Sequence, residues 1–262
     1  MPVTLTHIAH DPQGPERAPP LLIAHGLFGS ARNFNSLGRR LAVGRRVVMV
    51  DMRNHGDAPW DDRMDYAAMA EDLGDAVRRL CGGRAVVLGH SMGGKATMAL
   101  ALTDPAAVEA ALIADIAPIS YANVHGAYLT AMSQMDIANI ARRADADPLL
   151  AEAVPEAGLR GFLLQNLRIE GGAARWRLNL PALEAAMLAL TGWPEDWRTP
   201  YDGPALFLHG TASDYVPRSA HGAIKALFPN AEIQGLDGAG HWLHAEQPEA
   251  FHAAVSAWLA RL

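Results

Sequence analysis

Val86-Val87-Leu88-Gly89-His90-Ser91-Met92-Gly93-Gly94-Lys95 is the stretch whose reading decides the fold. A short apolar run leads into Gly-x-Ser-x-Gly, and the run that follows, towards Leu102, suits a helix. A serine on a tight strand-to-helix turn is a nucleophile elbow. The turn strains the serine backbone, and glycines two residues before and after leave room for the chain to pass its neighbours. The hydroxyl then stands clear at the carboxyl edge of a sheet, where the N-terminus of the helix favours developing negative charge. The same stretch also matches Gly-x-x-x-x-Gly-Lys of a phosphate loop. Ala96 stands where the magnesium-binding hydroxyl belongs, which argues against an NTPase and leaves Lys95 as a solvated helix residue.

Working outward, Leu21–Ala24, Val47–Val50, Ala85–Leu88, Ala110–Ala114, Ala205–Leu208 and Ile233–Leu236 are short continuous apolar runs. Such runs suit strands buried on both faces of a parallel sheet. Tyr66, Met69, Leu73, Val77 and Leu80 form a helical stripe between them. Phe251, Val255, Trp258, Leu259 and Leu262 form another, opened by Pro248. The rhythm is that of an α/β sheet with helices on both faces. It fails between residues 118 and 203, where no strand is expected. There 124–135, 159–167 and 183–190 read as helices, separated by Asp147-Pro148, Gly171-Gly172 and Gly192-Trp193-Pro194. The expected organisation is a core of 1–117 and 204–262 carrying a helical insertion of 118–203.

The chain has 262 residues, half of them hydrophobic and 19% charged, which is ordinary globular composition. Its net charge of −6 makes nucleic acid or an anionic membrane surface an unfavourable partner. One cysteine, Cys81, excludes an internal disulfide and suits a reducing compartment. With no signal-like start and no apolar run near ~18 residues, a cytoplasmic protein is expected. Oligomeric state is not legible.

A serine hydroxyl needs a base. His241 follows the last strand candidate within Gly238-Ala239-Gly240-His241, a glycine-rich loop able to reach back to Ser91. His244 is the competitor but lacks that hinge; His25, His55, His90 and His209 read as turn or packing residues. The acid that orients the imidazole has two candidates, Asp115 after Ala111-Leu112-Ile113-Ala114 and Asp214 after the strand ending at His209-Gly210. For the oxyanion, the backbone N–H of Met92 is one donor. Leu27, in His25-Gly26-Leu27-Phe28-Gly29-Ser30, is the expected second.

Together these stretches resemble the α/β-hydrolase superfamily, and within it the YbfF-type small serine esterases. The resemblance is carried also by Val50-Asp51-Met52-Arg53-Asn54-His55-Gly56, Ala114-Asp115-Ile116-Ala117-Pro118, Phe162-Leu163-Leu164-Gln165-Asn166-Leu167 and Gly238-Ala239-Gly240-His241-Trp242. The Asp-x-Arg-Asn-His-Gly segment is the most group-specific of them. The resemblance implies an α/β-hydrolase fold, a triad of Ser91, His241 and Asp115, and a serine beside the base at Ser213. Asp214 departs from the pattern by leaving a conventional acid next to that serine. It further implies cofactor-free hydrolysis of acyl esters, or thioesters such as acyl-CoA, with the insertion capping the site. Phe28, Phe162, Leu163, Trp176 and Trp242 are the candidate pocket residues.

Two other classes compete. A cofactor-free perhydrolase or haloperoxidase-like enzyme would use the same triad. A non-catalytic binding protein would usually have lost a triad member, and none is missing. Haloalkane dehalogenase and epoxide hydrolase need a carboxylate where Ser91 stands. Metal catalysis lacks a motif, since His241 and His244 supply only two ligands.

Overall fold

The computed structural model describes residues 1–262. Seven strands form one sheet: β1 (His7–His10), β2 (Leu21–Ala24), β3 (Val47–Val50), β4 (Ala85–His90), β5 (Val108–Ala114), β8 (Ala205–Gly210) and β9 (Ala231–Leu236), in the order β1-β3-β2-β4-β5-β8-β9. β1 runs antiparallel to β3; every other pairing is parallel. Every residue of β2, β3 and β4 is buried, as expected of strands covered on both faces. β1 is the strand that apolar patterning misses, because His7-Ile8-Ala9-His10 is an edge strand and mostly half-buried.

Eleven helices follow in chain order: α1 (Asn35–Leu41), α2 (Tyr66–Leu80), α3 (Met92–Thr103), α4 (Gly126–Gln134), α5 (Arg143–Leu150), α6 (Ala157–Leu164), α7 (Leu180–Ala185), α8 (Met187–Thr191), α9 (His221–Leu227), α10 (Leu243–Glu246) and α11 (Pro248–Leu259). Alternate strand residues feed two cores. Leu22, Val48, Val87 and Ile113 join α2, α3 and α9, whereas Ile23, Met49, Leu88 and Leu112 join α1 and α11. α2 carries the expected stripe and is capped by Asp65, whose carboxylate accepts from the Ala68 N–H at 2.7 Å. α3 is buried on every side from Met92 to Ala101, so it has almost no polar face. No helix is long and apolar enough to cross a membrane. Architecture and strand order are those of a mostly parallel α/β-hydrolase sheet.

Between β5 and β8 the chain leaves the sheet and builds α4 to α8. Three expectations fail there. Residues 167–176 form an antiparallel hairpin, β6 (Leu167–Glu170) with β7 (Ala173–Trp176), where no strand was expected. Gly171 and Gly172 are its two-residue turn, with φ of 58° and 82°, a conformation that glycine adopts without Cβ strain. Asp147-Pro148 does not separate helices either. Pro148 lies inside α5, which ends soon after it. The expected helix over 183–190 divides at Ala186 into α7 and α8. Leu129, Met132, Leu150, Leu163 and Leu183 extend the α2–α3 core into this segment.

Candidate active site

Parallel register brings three strand ends side by side. His90 of β4 lies beside Ala114 of β5, and Ala114 beside Leu208 of β8. The next residues complete the ladder: the Ser91 N–H donates to the Ala114 carbonyl at 3.0 Å, and the Asp115 N–H to the Leu208 carbonyl at 2.9 Å. Residues 91 and 115 therefore emerge next to each other at the carboxyl edge of the sheet.

Ser91 has φ 53° and ψ −117°, a left-handed conformation that costs a side-chain-bearing residue on the order of 1–3 kcal/mol. The surrounding contacts enforce it. A Cβ on Gly89 would stand 2.1 Å from the Gly93 carbonyl oxygen, and one on Gly93 would stand 2.4 Å from the Ala24 carbonyl oxygen. The two glycines thus let the turn close and let α3 pass against β2. Asp115 also has positive φ, 52°.

His241 joins these two residues. Its Nε2 lies 3.1 Å from Ser91 Oγ, and its Nδ1 lies 2.7 Å from Asp115 Oδ2. The carboxylate accepts only, so Nδ1 carries the proton and Nε2 is free to accept from the serine. Asp115 is fully buried and accepts two further hydrogen bonds: Oδ1 from the Gly210 N–H at 3.0 Å, and Oδ2 from Ser213 Oγ at 2.5 Å. Tyr215 stacks on the imidazole at 4.0 Å between ring centres, and His90 Nε2 donates to the His241 carbonyl at 2.9 Å. Asp214 is exposed, and the carboxylate on His241 is that of Asp115.

The other histidines do different work. His25 Nδ1 donates to the Gly26 carbonyl at 2.8 Å while its Nε2 accepts from the Met52 N–H at 2.9 Å, which shapes the loop 25–30. His55 donates to the Arg53 carbonyl, and burial pushes its pKa down to about 3. His244 stacks on Phe34 at 4.4 Å; burial, then the neighbouring His241, lower its pKa to about 4. It makes no bond to Ser91.

The backbone N–H groups of Leu27 and Met92 donate to no protein acceptor. Both residues line a cavity with Ser91, and the Gly26 Cα region lies close to the Ser91 Cβ. Ser91 opens onto two cavities. The larger, about 270 Å³, is lined by Phe28, Phe34, Tyr128, Phe162, His241 and Trp242 among others. The smaller, about 40 Å³, is lined by Met92, Lys95, Tyr121, Met187 and Leu190 among others. Leu27, His125 and Tyr215 border both.

Of the five expected pocket residues, Phe28, Phe162 and Trp242 line the larger cavity. Two expectations are corrected. Leu163 is fully buried in the core on the inner side of α6, and Trp176 lies on β7 against that core; neither borders a cavity that Ser91 opens to. Lys95 is a third correction. It is 1% exposed rather than solvated, and its Nζ donates to the carbonyls of Thr191 at 3.0 Å and Gly192 at 2.6 Å. Its signal in the sequence was its isolation as the one charge in an otherwise apolar helix. Tyr215 and His125, whose Nε2 lies 3.2 Å from the Tyr215 hydroxyl, were also not foreseen. Nothing in local patterning marks them, because His125 comes from the start of α4 and Tyr215 from the loop after β8.

The Asp-x-Arg-Asn-His-Gly segment holds the frame. Asp51 accepts from the N–H groups of Ala31 and Asp57, at 2.7 and 2.9 Å. Arg53 forms a buried two-point ion pair with Asp72 at 2.6 and 2.8 Å. The Asn54 carbonyl and side chain accept from Asn179 at 3.0 and 3.1 Å, which ties the insertion to the end of β3.

Comparison with known proteins agrees with this architecture. Residues 21–254 match the model of the alpha/beta hydrolase family. The chain is 43% identical over 255 residues to the sn-1-specific diacylglycerol lipase ABHD11 of Mus musculus, covering 94% of this chain and 83% of that one. It is 36% identical over 241 residues to esterase YbfF of Escherichia coli (strain K12), covering 92% of each. Among solved structures it is similar to a marine microorganism esterase, with a TM-score of 0.92, 32% identity and 98% and 99% of the two chains covered. With a family model spanning most of its length and relatives above 30% identity over nearly all of it, the chain belongs to the alpha/beta hydrolase family, among the YbfF-type carboxylic ester hydrolases.

Proposed function

We propose that this chain cleaves acyl esters, and acyl thioesters by the same steps, through an acyl-enzyme on Ser91. The observation that carries the reading is the unbroken hydrogen-bonded line from Ser91 Oγ through His241 to Asp115, at 3.1 and 2.7 Å. Ser91 Oγ attacks the acyl carbonyl as its proton passes to His241 Nε2. The buried Asp115 carboxylate holds the imidazole in that tautomer and stabilises the imidazolium that forms. The carbonyl electrons move onto oxygen, facing the unpaired N–H groups of Leu27 and Met92. Collapse expels the alkoxide or thiolate, which takes the proton from His241. Water then repeats the sequence on the acyl-enzyme, with His241 again as base. Residues 118–203 act as a cap over the core of 1–117 and 204–262. Phe162 on α6, with Phe28 and Trp242, gives the larger cavity its apolar wall.

The test is a screen of esters and acyl-CoA thioesters with the wild-type chain and Ser91→Ala. The variant should melt like the wild type and lose about 10⁶-fold in kcat, leaving only oxyanion and binding contributions. An organophosphate should label Ser91. Labelling elsewhere, or an active Ser91→Ala, would overturn the reading.

A further inference from the structure

The two cavities at Ser91 differ in which machinery they touch. The leaving-group oxygen must come within about 3 Å of His241 Nε2 to receive its proton. His241 borders the larger cavity and not the smaller. The leaving group therefore occupies the larger cavity, and the acyl chain takes the other one that Ser91 opens to. That cavity is lined by Met92 and by Lys95, one turn beyond Ser91 on α3. Its volume of about 40 Å³, against about 270 Å³ for the larger cavity, suits a short acyl chain and not a long one.

One residue of this lining is unusual. Lys95 is 1% exposed and has no carboxylate within ion-pair distance; its partners are two neutral carbonyls and the rings of Tyr121 and Tyr66, 4.7 and 5.5 Å from Nζ. An ammonium has three N–H donors, so one is left over beside the cavity. Buried cations normally have an anionic partner. We propose that the smaller cavity is the acyl subsite and that Lys95 Nζ is a specificity determinant in it, selecting short acyl groups whose far end carries a hydrogen-bond acceptor, a second carbonyl or carboxylate oxygen. The depressed pKa of Lys95, brought down to about 7 by burial, agrees with a cation that lacks its counter-charge. A carboxylate arriving beside it would favour the charged form. The inference rests on Ser91 as nucleophile and on the proton route through His241.

The experiment compares 4-nitrophenyl butanoate, 3-oxobutanoate, hemisuccinate and octanoate, with rates corrected for each ester's reactivity toward hydroxide. The wild type should turn over at least one of the two acceptor-bearing esters with kcat/KM about tenfold or more above butanoate, because a site built to hydrogen-bond rejects analogues that cannot. Octanoate should be the poorest substrate. Lys95→Met should erase the advantage of the acceptor, and Leu190→Ala should raise octanoate relative to butanoate. Octanoate as the best wild-type substrate, or an acceptor preference unchanged in Lys95→Met, would overturn the subsite. If Lys95→Met does not fold, the wild-type ranking and Leu190→Ala decide. No turnover of any of these esters by wild-type protein whose Ser91 is labelled by an organophosphate also overturns the subsite, while leaving the nucleophile in place. Absence of that labelling would instead bring down the reading beneath it.

Discussion

The sheet and the segment of residues 118–203 share an apolar core but differ in their polar contacts. Strands β2 to β5 are almost wholly buried, and their side chains fill two apolar cores. Residues 118–203 add to one of those cores and carry single polar ties to the sheet region as well. Asn166 Nδ2 donates to the Phe28 carbonyl at 2.8 Å, Asn179 binds Asn54, the Tyr66 hydroxyl donates to the Leu190 carbonyl at 2.6 Å, and Lys95 holds the last turn of α8. Each tie runs between a side chain of one region and, in most cases, the backbone of the other. Apolar burial is non-directional and sets where layers meet. Hydrogen bonds are directional and set the register of one layer on the other. The proposed chemistry sits on the first kind of scaffold and the proposed substrate selection on the second, so changes in the two regions should have separable effects.

The largest effect should come from the sheet edge. Asp115→Asn removes the negative charge beside His241 and reverses the tautomer preference, and should lower kcat about 10⁴-fold with little change in KM. Asp214→Asn, at an exposed side chain, should stay within about twofold of wild type in the same steady-state assay. An inactive Asp214→Asn beside an active Asp115→Asn would break the assignment.

Acid should weaken the sheet region more than the insertion. Burial lowers the pKa of His25, His55, His90, His125 and His244; for His55 it falls to about 3, and for His125 and His244 to about 4. The unfolded chain takes up these protons near pH 6.5 and the native chain does not. Between about pH 6.5 and 4 the unfolded state binds more protons, so stability falls as pH falls. The urea midpoint should drop steeply between pH 7 and 5. His125→Gln, in the insertion, should leave most of that drop in place, since four of the five groups lie elsewhere. A midpoint unchanged from pH 7 to 5 would contradict the neutral, buried state of these rings.

A smaller change is expected at Ser213. Its hydroxyl donates to the Asp115 carboxylate, and hydrogen bonds to charged groups are worth about 1.5–3 kcal/mol. Ser213→Ala should therefore cost about 10- to 100-fold in kcat/KM, between the two aspartate variants. The smallest expected effect belongs to a tie of the insertion. Asn166→Ala leaves the buried Phe28 carbonyl without its donor, at a cost of about 1–3 kcal/mol. It should lower Tm by a few degrees and change selectivity among esters more than the rate on the best one. A uniform loss of rate with unchanged selectivity would show that Asn166 serves the sheet edge instead.

Six of the seven strands of the main sheet were legible because burial on both faces leaves a continuous apolar run; Leu21–Ala24 and Val47–Val50 were read to the residue. β1 was not, since an edge strand lacks that pattern. The hairpin at 167–176 was hidden for another reason. Its Gly-Gly turn reads equally well as a break between helices, and only pairing across it makes it a strand connection. At the site, Gly89 to Gly93 announced the turn, because the close approaches to Gly93 and Ala24 exclude a Cβ.

What the sequence by itself determined is therefore the local physics: which runs must be buried, where the elbow must bend, and which loop had the freedom to carry a histidine back over the sheet. The residues by themselves leave two aspartates open and the resemblance points to Asp115; the physical reason lies in the tertiary structure, where the register of β4, β5 and β8 places residue 115 beside residue 91. The tertiary structure also supplies what covers Lys95, the carbonyls of Thr191 and Gly192. The apolar helix around Lys95 signals burial, but the segment that covers it lies about a hundred residues further along the chain, and local periodicity cannot name a partner that distant.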